Sequence, residues 1–374
     1  RTGDSIMSFY YILLVILLLE AGLIFLKGSS NKKKKIYLIL VFIKLFIISA
    51  FRSANIGNDT KAYIDLFQRW GIAESITSIN TRFEIGFVLL NRIVYFFSSN
   101  SQAIIIVTSF ITLYLFLRFI YKESSLVWLS VYLFITLRYF YGTMNIVRLT
   151  LAMGVIFVSY KFLKERKVIP FALLVILASL FHSTAIIFLI SYPITGIEFN
   201  RRNLLFLSLA GLIGFIAFNP ILEMAFRLFP QYRHYLTSSF FEGQVLANYI
   251  QFFIDLTILV FGLIVVSRNK RYLANSENIK EKNEINILLH LMTLGTIFSF
   301  IAIRASLLDR VSSYFSVFCI IFVPKVITMV RNKHERLIYI YLIMAFALLY
   351  HTVIFIYRPG WNDVFPYEFF WQIR

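Results

Sequence analysis

Long apolar runs alternate with short polar loops along almost the whole chain. A transmembrane helix needs about 20 mostly apolar residues to cross a hydrocarbon core ~30 Å thick. Runs at 8–26, 36–51, 102–120, 125–141, 146–161, 203–219, 248–267, 286–303, 311–330 and 337–357 approach or meet that length, and each predicts a helix. Two further stretches are ambiguous. The piece at 85–98 reaches only about 21 Å at 1.5 Å per residue, which suits a re-entrant or interfacial segment. Residues 168–195 fit either one tilted helix or two short ones meeting near His182.

Four loops are strongly basic: Lys27 with Lys32 to Lys35, Lys161 to Lys167, Arg268 to Lys282, and Arg331 to Arg336. Basic loops stay on the cytoplasmic side, so an even number of crossings separates each neighbouring pair. That parity holds if 85–98 does not cross and 168–195 goes out and returns. The expectation is an all-α, polytopic integral membrane protein with about twelve transmembrane helices plus one re-entrant or interfacial segment. It forms one domain over 1–374, with external loops at 52–84 and 220–247. His182, the loops at 142–148 and 304–310 and the tail from 358 also fall on the outer face.

Composition agrees with this pattern and removes the alternatives. The 374 residues are 59% hydrophobic and only 15% charged, with a mean hydropathy of +0.76. An ordinary soluble domain is about a quarter charged, so a water-soluble enzyme is excluded. Disorder, coiled coil and collagen are excluded as well, since no heptad or Gly-X-Y period appears. The net charge of +18 sits in the short loops that orient membrane proteins, which sets nucleic acid aside as a partner. The single Cys319 lies in an apolar run and supports no disulfide. Residues 8–26 read as a retained crossing, because no small-residue cleavage site precedes Lys27.

Candidate chemistry gathers in the loops assigned to the outer face. Asn58-Asp59-Thr60 is a helix-start signal with Asp59 as N-cap. After it, Tyr63, Leu66, Phe67 and Trp70 form one apolar face of a helix at the membrane interface, opposite Lys61, Asp65, Gln68 and Arg69. Arg52 and Asp59 flank Gly57 at the membrane boundary, where a charge is costly unless used or paired. Glu84, at the mouth of the short segment, is a candidate general base or a carboxylate favouring a helix dipole. Asn145 and Arg148, three apart, predict one face of helix 146–161. The guanidinium fork suits phosphate oxygens, and Arg310, with Tyr314 one turn on, repeats the theme; lipid-headgroup contact is the other reading of each arginine. His182 is either a satisfied polar residue between helices or a functional group at an external turn. Asn248, Gln251 and Asp255 share a helix face, and Glu20 with Lys44 reads as a structural ion pair. No DxD pair, P-loop, HExxH or G-x-S-x-G is present, which disfavours a metal-dependent cytosolic glycosyltransferase and an ATPase.

Several of these stretches, taken in order, resemble the EpsG-like branch of the Wzy family of bacterial O-antigen and capsule polysaccharide polymerases. They are Arg52-Ser-Ala-Asn-Ile-Gly57-Asn-Asp59-Thr-Lys-Ala-Tyr63, Arg82-Phe-Glu84-Ile-Gly86-Phe, Asn145-Ile-Val-Arg148, Phe181-His182-Ser-Thr-Ala, Asp309-Arg310-Val-Ser-Ser-Tyr314-Phe315 and Pro366-Tyr367. One departure is Ile85, where many relatives carry proline after the glutamate. The resemblance implies a GT-C-like membrane enzyme that uses no metal or other cofactor. It would move a growing glycan from undecaprenyl diphosphate onto a lipid-linked oligosaccharide repeat at the outer face of the cytoplasmic membrane. Its partners would be that lipid-linked oligosaccharide and membrane lipid, with a chain-length regulator as a candidate protein partner. On this reading Arg52, Arg148 and Arg310 clamp the diphosphate, with Asn145, Tyr314 and Tyr63 lining the substrate. Glu84 or His182 deprotonates the acceptor hydroxyl, and Asp59 orients Arg52 or a sugar. Tyr232, Tyr235, Phe240 and Phe241 are candidates for stacking on sugar rings or for interface anchoring. An O-antigen ligase or other lipid-phosphate-sugar glycosyltransferase is the first alternative, and a flippase the second.

Overall fold

The computed structural model describes residues 2–228, 245–269 and 279–372, and within them the regular structure is helical. The aromatic residues at 232–241 and most of the basic loop after Arg268 lie outside the described residues. In chain order the helices are α1 (Thr2–Phe25), α2 (Asn31–Ala50), α3 (Thr60–Gly71), α4 (Ile85–Phe97), α5 (Gln102–Glu123), α6 (Val127–Thr136), α7 (Tyr139–Asn145), α8 (Val147–Lys164) and α9 (Val168–Ser179). A 3₁₀ stretch, Ser183–Ile190, precedes α10 (Ser191–Ile194), α11 (Arg201–Ile216), α12 (Phe218–Leu228) and α13 (Val245–Arg268). The series closes with α14 (Ile279–Ala302), α15 (Asp309–Ser316), α16 (Cys319–Thr328) and α17 (Lys333–Tyr357).

Polar caps set several boundaries. Ser30, Asn200 and Asn332 each accept a bond from a backbone N–H of the first turn that follows, satisfying donors that a helix start leaves free. Among the described residues five helices are long and apolar enough to cross a membrane: Gln102–Glu123, Leu246–Arg268, Glu281–Ala302, Asp309–Thr328 and Lys333–Tyr357. The bent pair Arg201–Ile216 and Phe218–Met224 makes six if counted as one span. Other apolar runs form shorter helices, among them Phe9–Phe25, Ile85–Phe97, Val127–Thr136 and Val168–Ser179.

Two predicted elements break where a charge or a turn intervenes. The run at 125–141 is two helices, because Arg138 adopts a left-handed φ of 70° between α6 and α7. Residues 168–195 divide at Leu180–His182, as the two-helix option requires. The apolar face of α3 is covered by protein rather than left to the interface. Tyr63 and Trp70 pack with Phe87 and Val88 of α4 and with Val147 and Leu151 of α8. The predicted Glu20–Lys44 pair joins α1 to α2 at 2.6 Å.

The chain divides into two compact units, interleaved in sequence: Arg1–Tyr160 with Leu173–Ser183 and Asn332–Arg374, and Lys161–Ala172 with Thr184–Arg331. In the first unit the tail after α17 folds onto the loop that follows α2. Ser53 N–H donates to the Glu368 carbonyl at 2.9 Å, Phe370 N–H to the Phe51 carbonyl at 2.9 Å, and Gly57 N–H to the Asp363 carbonyl at 2.7 Å. In the second, α14 packs against α13 and α15.

Candidate functional site

The start of α4 and the end of α9 are locked by backbone. Gly86 N–H donates to the Leu180 carbonyl at 2.8 Å, and a Cβ at position 86 would stand 2.6 Å from that oxygen. Only glycine permits this approach. The turn after α9 answers the contact, because Ser183 N–H donates to Glu84 Oε1 at 2.9 Å. The other oxygen of Glu84 accepts from Nη1 of Arg148, in the first turn of α8, as an ion pair. The guanidinium also lies over the Phe83 ring, 4.4 Å from its centroid. Both partners are largely buried, at 15% and 17% side-chain exposure.

Burial alone would raise the Glu84 carboxyl. The Ser183 amide, the Arg148 cation and the nearby His182 outweigh it and hold the group below the usual carboxylate range. Glu84 is therefore ionised and committed to its partners at neutral pH. Tyr63, delivered by the buried face of α3, faces the same guanidinium and donates its hydroxyl to Asp59 Oδ2 at 3.3 Å. Glu84, Arg148, His182, Tyr63 and Asp59 thus come together from four separated stretches.

Arg52 is only 1% exposed. Its Nη1 donates to the Ser49 carbonyl at 2.5 Å and to Ser109 Oγ at 3.2 Å. Burial lowers its pKa to about 10, so it stays a cation at neutral pH. The loop holding it turns at Gly57, whose φ is +87°, with Met144 O only 2.2 Å from where a Cβ would lie. Asn145 fixes the same loop, its Oδ1 accepting from Asn58 N–H at 3.0 Å.

Several expectations are corrected here. Asp59 stands at the N-cap of α3 but makes no side-chain cap bond, and its carboxylate meets Tyr63 rather than Arg52. Asn145 and Arg148 do not share a helix: Asn145 ends α7, Ile146 breaks the helical path and α8 begins at Val147. Their side chains consequently reach different partners. Arg310 and Tyr314 belong to α15, in the second unit, where Tyr314 is wholly buried and its hydroxyl lies 3.3 Å from Thr184 Oγ1. Asp255 accepts from Ser316 Oγ at 2.7 Å and from Gln251 Nε2 at 3.0 Å, a helix-to-helix hydrogen bond. Among the described residues no three His, Cys, Asp or Glu side chains are grouped as metal ligands would be.

Residues 35–369 match the EpsG family, in a span that contains the Glu84–Arg148 pair and every stretch that feeds it. The chain belongs to the EpsG family. Searches of curated proteins and of solved structures returned no match. EpsG membership points to a membrane glycosyltransferase of the glycan-polymerase type.

One polar pair in this EpsG chain escapes the sequence reading. Arg138 donates from Nε and Nη2 to Asn362 Oδ1, at 3.0 and 2.7 Å. Its guanidinium lies 4.9 Å from the Phe355 centroid and 5.2 Å from that of Tyr141. The available signal was a lone arginine inside the apolar run 125–141, since an ionisable residue in such a run is functional by default.

Proposed function

We propose that this EpsG-family protein is a polysaccharide polymerase that moves a growing glycan from undecaprenyl diphosphate onto a lipid-linked oligosaccharide repeat. The acceptor hydroxyl attacks the anomeric carbon of the donor, the bond from that carbon to the diphosphate oxygen breaks, and undecaprenyl diphosphate leaves. Such a donor already carries a good leaving group, so the enzyme's task is to orient the acceptor, take its proton and stabilise departing negative charge. The observation that carries the reading is the cluster built on Glu84, which holds Arg148 and the His182–Ser183 turn in one place.

Within that cluster the two candidate bases separate. Glu84 is held ionised by an amide and a guanidinium, which makes it a weak base and a strong anchor. His182 takes the proton in this reading, while Arg148 and Arg52 face the donor, Tyr63 and Asp59 orient the acceptor, and Asn145 holds the loop beside them. The protein sits in the cytoplasmic membrane in a GT-C-like arrangement, with about twelve crossings once the shorter apolar helices are counted and with the cluster on the outer face. The reaction uses no metal.

Purified protein given a defined undecaprenyl-diphosphate-linked repeat is expected to yield a ladder of longer lipid-linked glycans, unchanged by a chelator. Loss of the ladder with chelator would overturn metal independence. Transfer of finished polymer to another acceptor, without elongation, would indicate a ligase; transbilayer movement without any new linkage would indicate a flippase. Cysteines placed beside Gly57 and beside Lys34 are expected to label from opposite sides of the membrane, and labelling from one side would overturn the crossing count.

A further inference from the structure

Two buried arginines of the first unit have no acidic partner. Arg52, 1% exposed, bonds a carbonyl and a hydroxyl, and its Nε is buried without a partner. Arg138, 6% exposed, bonds one amide oxygen, and its Nη1 is buried without a partner. Neither is ion-paired to a carboxylate among the described residues. Both lie within electrostatic reach of the Tyr10 hydroxyl, which itself donates to the Val364 carbonyl at 2.9 Å. The Tyr10 ring packs edge-on against Tyr141 at 4.9 Å and against Tyr367 at 6.2 Å. Two cations therefore share one aromatic, hydroxyl-lined surrounding with nothing to neutralise them.

Such an arrangement needs an explanation. A buried charge left uncompensated costs several kcal/mol, and arginines at membrane depth normally pair or mark a ligand path. The neighbouring Arg148 shows the alternative, since Glu84 neutralises it. All three arginines keep one buried nitrogen without a hydrogen-bond partner, but only Arg148 has a carboxylate to balance its charge; Arg52 and Arg138 carry both an unused donor and an uncompensated charge.

We infer that Arg52 and Arg138 form a two-cation site for the diphosphate of a polyprenyl-linked substrate, with Asn362 setting the angle of the Arg138 fork. This rests on the lipid-diphosphate reading above and assigns the charge-receiving role to a pair that includes a residue outside the family-like stretches. The tail meets both residues: Asn362 Oδ1 accepts from the Arg138 fork, and Phe369 pairs with Arg52 through the backbone. A ligand reaches the arginines when that tail shifts.

The test uses full-length protein in detergent and follows thermal unfolding with farnesyl diphosphate, farnesyl monophosphate, farnesol or inorganic pyrophosphate, alongside polymer synthesis. Farnesyl diphosphate is expected to raise the unfolding temperature of the native protein more than the monophosphate does, and farnesol is expected to leave it unchanged. Arg138→Gln is expected to bind the diphosphate roughly 10- to 100-fold more weakly, the loss typical of a charge-assisted bond. Arg138→Lys keeps the charge without the fork and should fall between the two. Lys325→Gln, which opens the Lys325–Glu284 ion pair of the second unit, should retain the diphosphate-dependent shift. Undiminished protection of both Arg52→Gln and Arg138→Gln would overturn the site, as would equal protection by farnesol.

Equal protection by inorganic pyrophosphate would assign the site to the anion alone and remove the lipid from the proposal. The two readings fail separately. Diphosphate protection that depends on Arg138, without any polymer from the native protein, sinks the polymerase and keeps the site. Normal polymer from Arg138→Gln sinks the site and keeps the polymerase. Should Arg138→Gln not fold, Asn362→Ala, which leaves the arginine in place but releases its fork, carries the same binding comparison.

Discussion

Charged side chains are handled differently in the two compact units. In the second, Lys325 meets Glu284 at 2.9 Å and Glu281 at 3.6 Å, and Lys164 meets Glu284 at 3.8 Å. These two lysines are answered by carboxylates within the unit. In the first unit, Arg148 is answered by Glu84, while Arg52 and Arg138 are held by neutral oxygens only. A closed network needs no ligand and reads as architecture. An open pair keeps its charge available, and the place where compensation is missing is where an anionic substrate belongs.

The largest expected effect comes from opening a closed pair in the first unit. Arg148→Ala should lower polymer synthesis by about three orders of magnitude, the scale of losing one preorganised donor to developing charge, while the protein still inserts. Polymer of normal length from that variant would remove Arg148 from the groups that receive the departing charge. It should also destabilise the fold, because Glu84 keeps its buried charge without its partner. Adding Glu84→Gln should recover stability without recovering polymer, measured as unfolding in detergent beside product yield.

Next in size is the same operation on the second unit. Lys325→Ala leaves Glu281 and Glu284 close together without their shared cation, and should cost about 2 kcal/mol of stability, a value between exposed and buried pairs. Activity per folded molecule should not change. A selective loss of activity would mean that the closed network is functional after all.

A smaller effect is set by pH. Glu84 titrates below its ordinary value of 4.5 in the folded protein, so its contribution is present above that value and is lost as pH falls through the folded-state value. Stability in detergent should therefore hold from about pH 8 to about pH 5 and fall only in stronger acid, with Arg148→Ala moving the fall to higher pH. An unmoved profile would show that Arg148 does not set the carboxylate's state. The smallest effect is Tyr63→Phe, which removes a hydroxyl from Asp59 and Arg148 and should cost about 1 kcal/mol, read as a fall in rate of less than tenfold.

Much of this was legible in the sequence because it is local. The face of α3 was readable from spacing, and Tyr63, Phe67 and Trp70 are buried as the period requires. What covers that face was not readable, since the partners Phe87 and Val147 come from elsewhere in the chain. Asn145 and Arg148 were assigned to one helix because no residue between them signals a break; the break at Ile146 comes from the loop that Asn145 must reach at Asn58. Arg138 stands near the end of an apolar run, where spacing alone does not separate a boundary residue from a buried one. Its burial depends on Asn362, more than 200 positions away.

The order of apolar runs and polar loops is written in the chain, because side chains partition between lipid and water one at a time, and so is the class of protein. Glu84 and Arg148 were visible there as chemistry-bearing types. Their pairing was not, and neither was the isolation of Arg52 and Arg138 from any acid. Whether a buried charge is neutralised depends on which distant groups the fold brings within a few ångströms, and that distance is a property of packing alone.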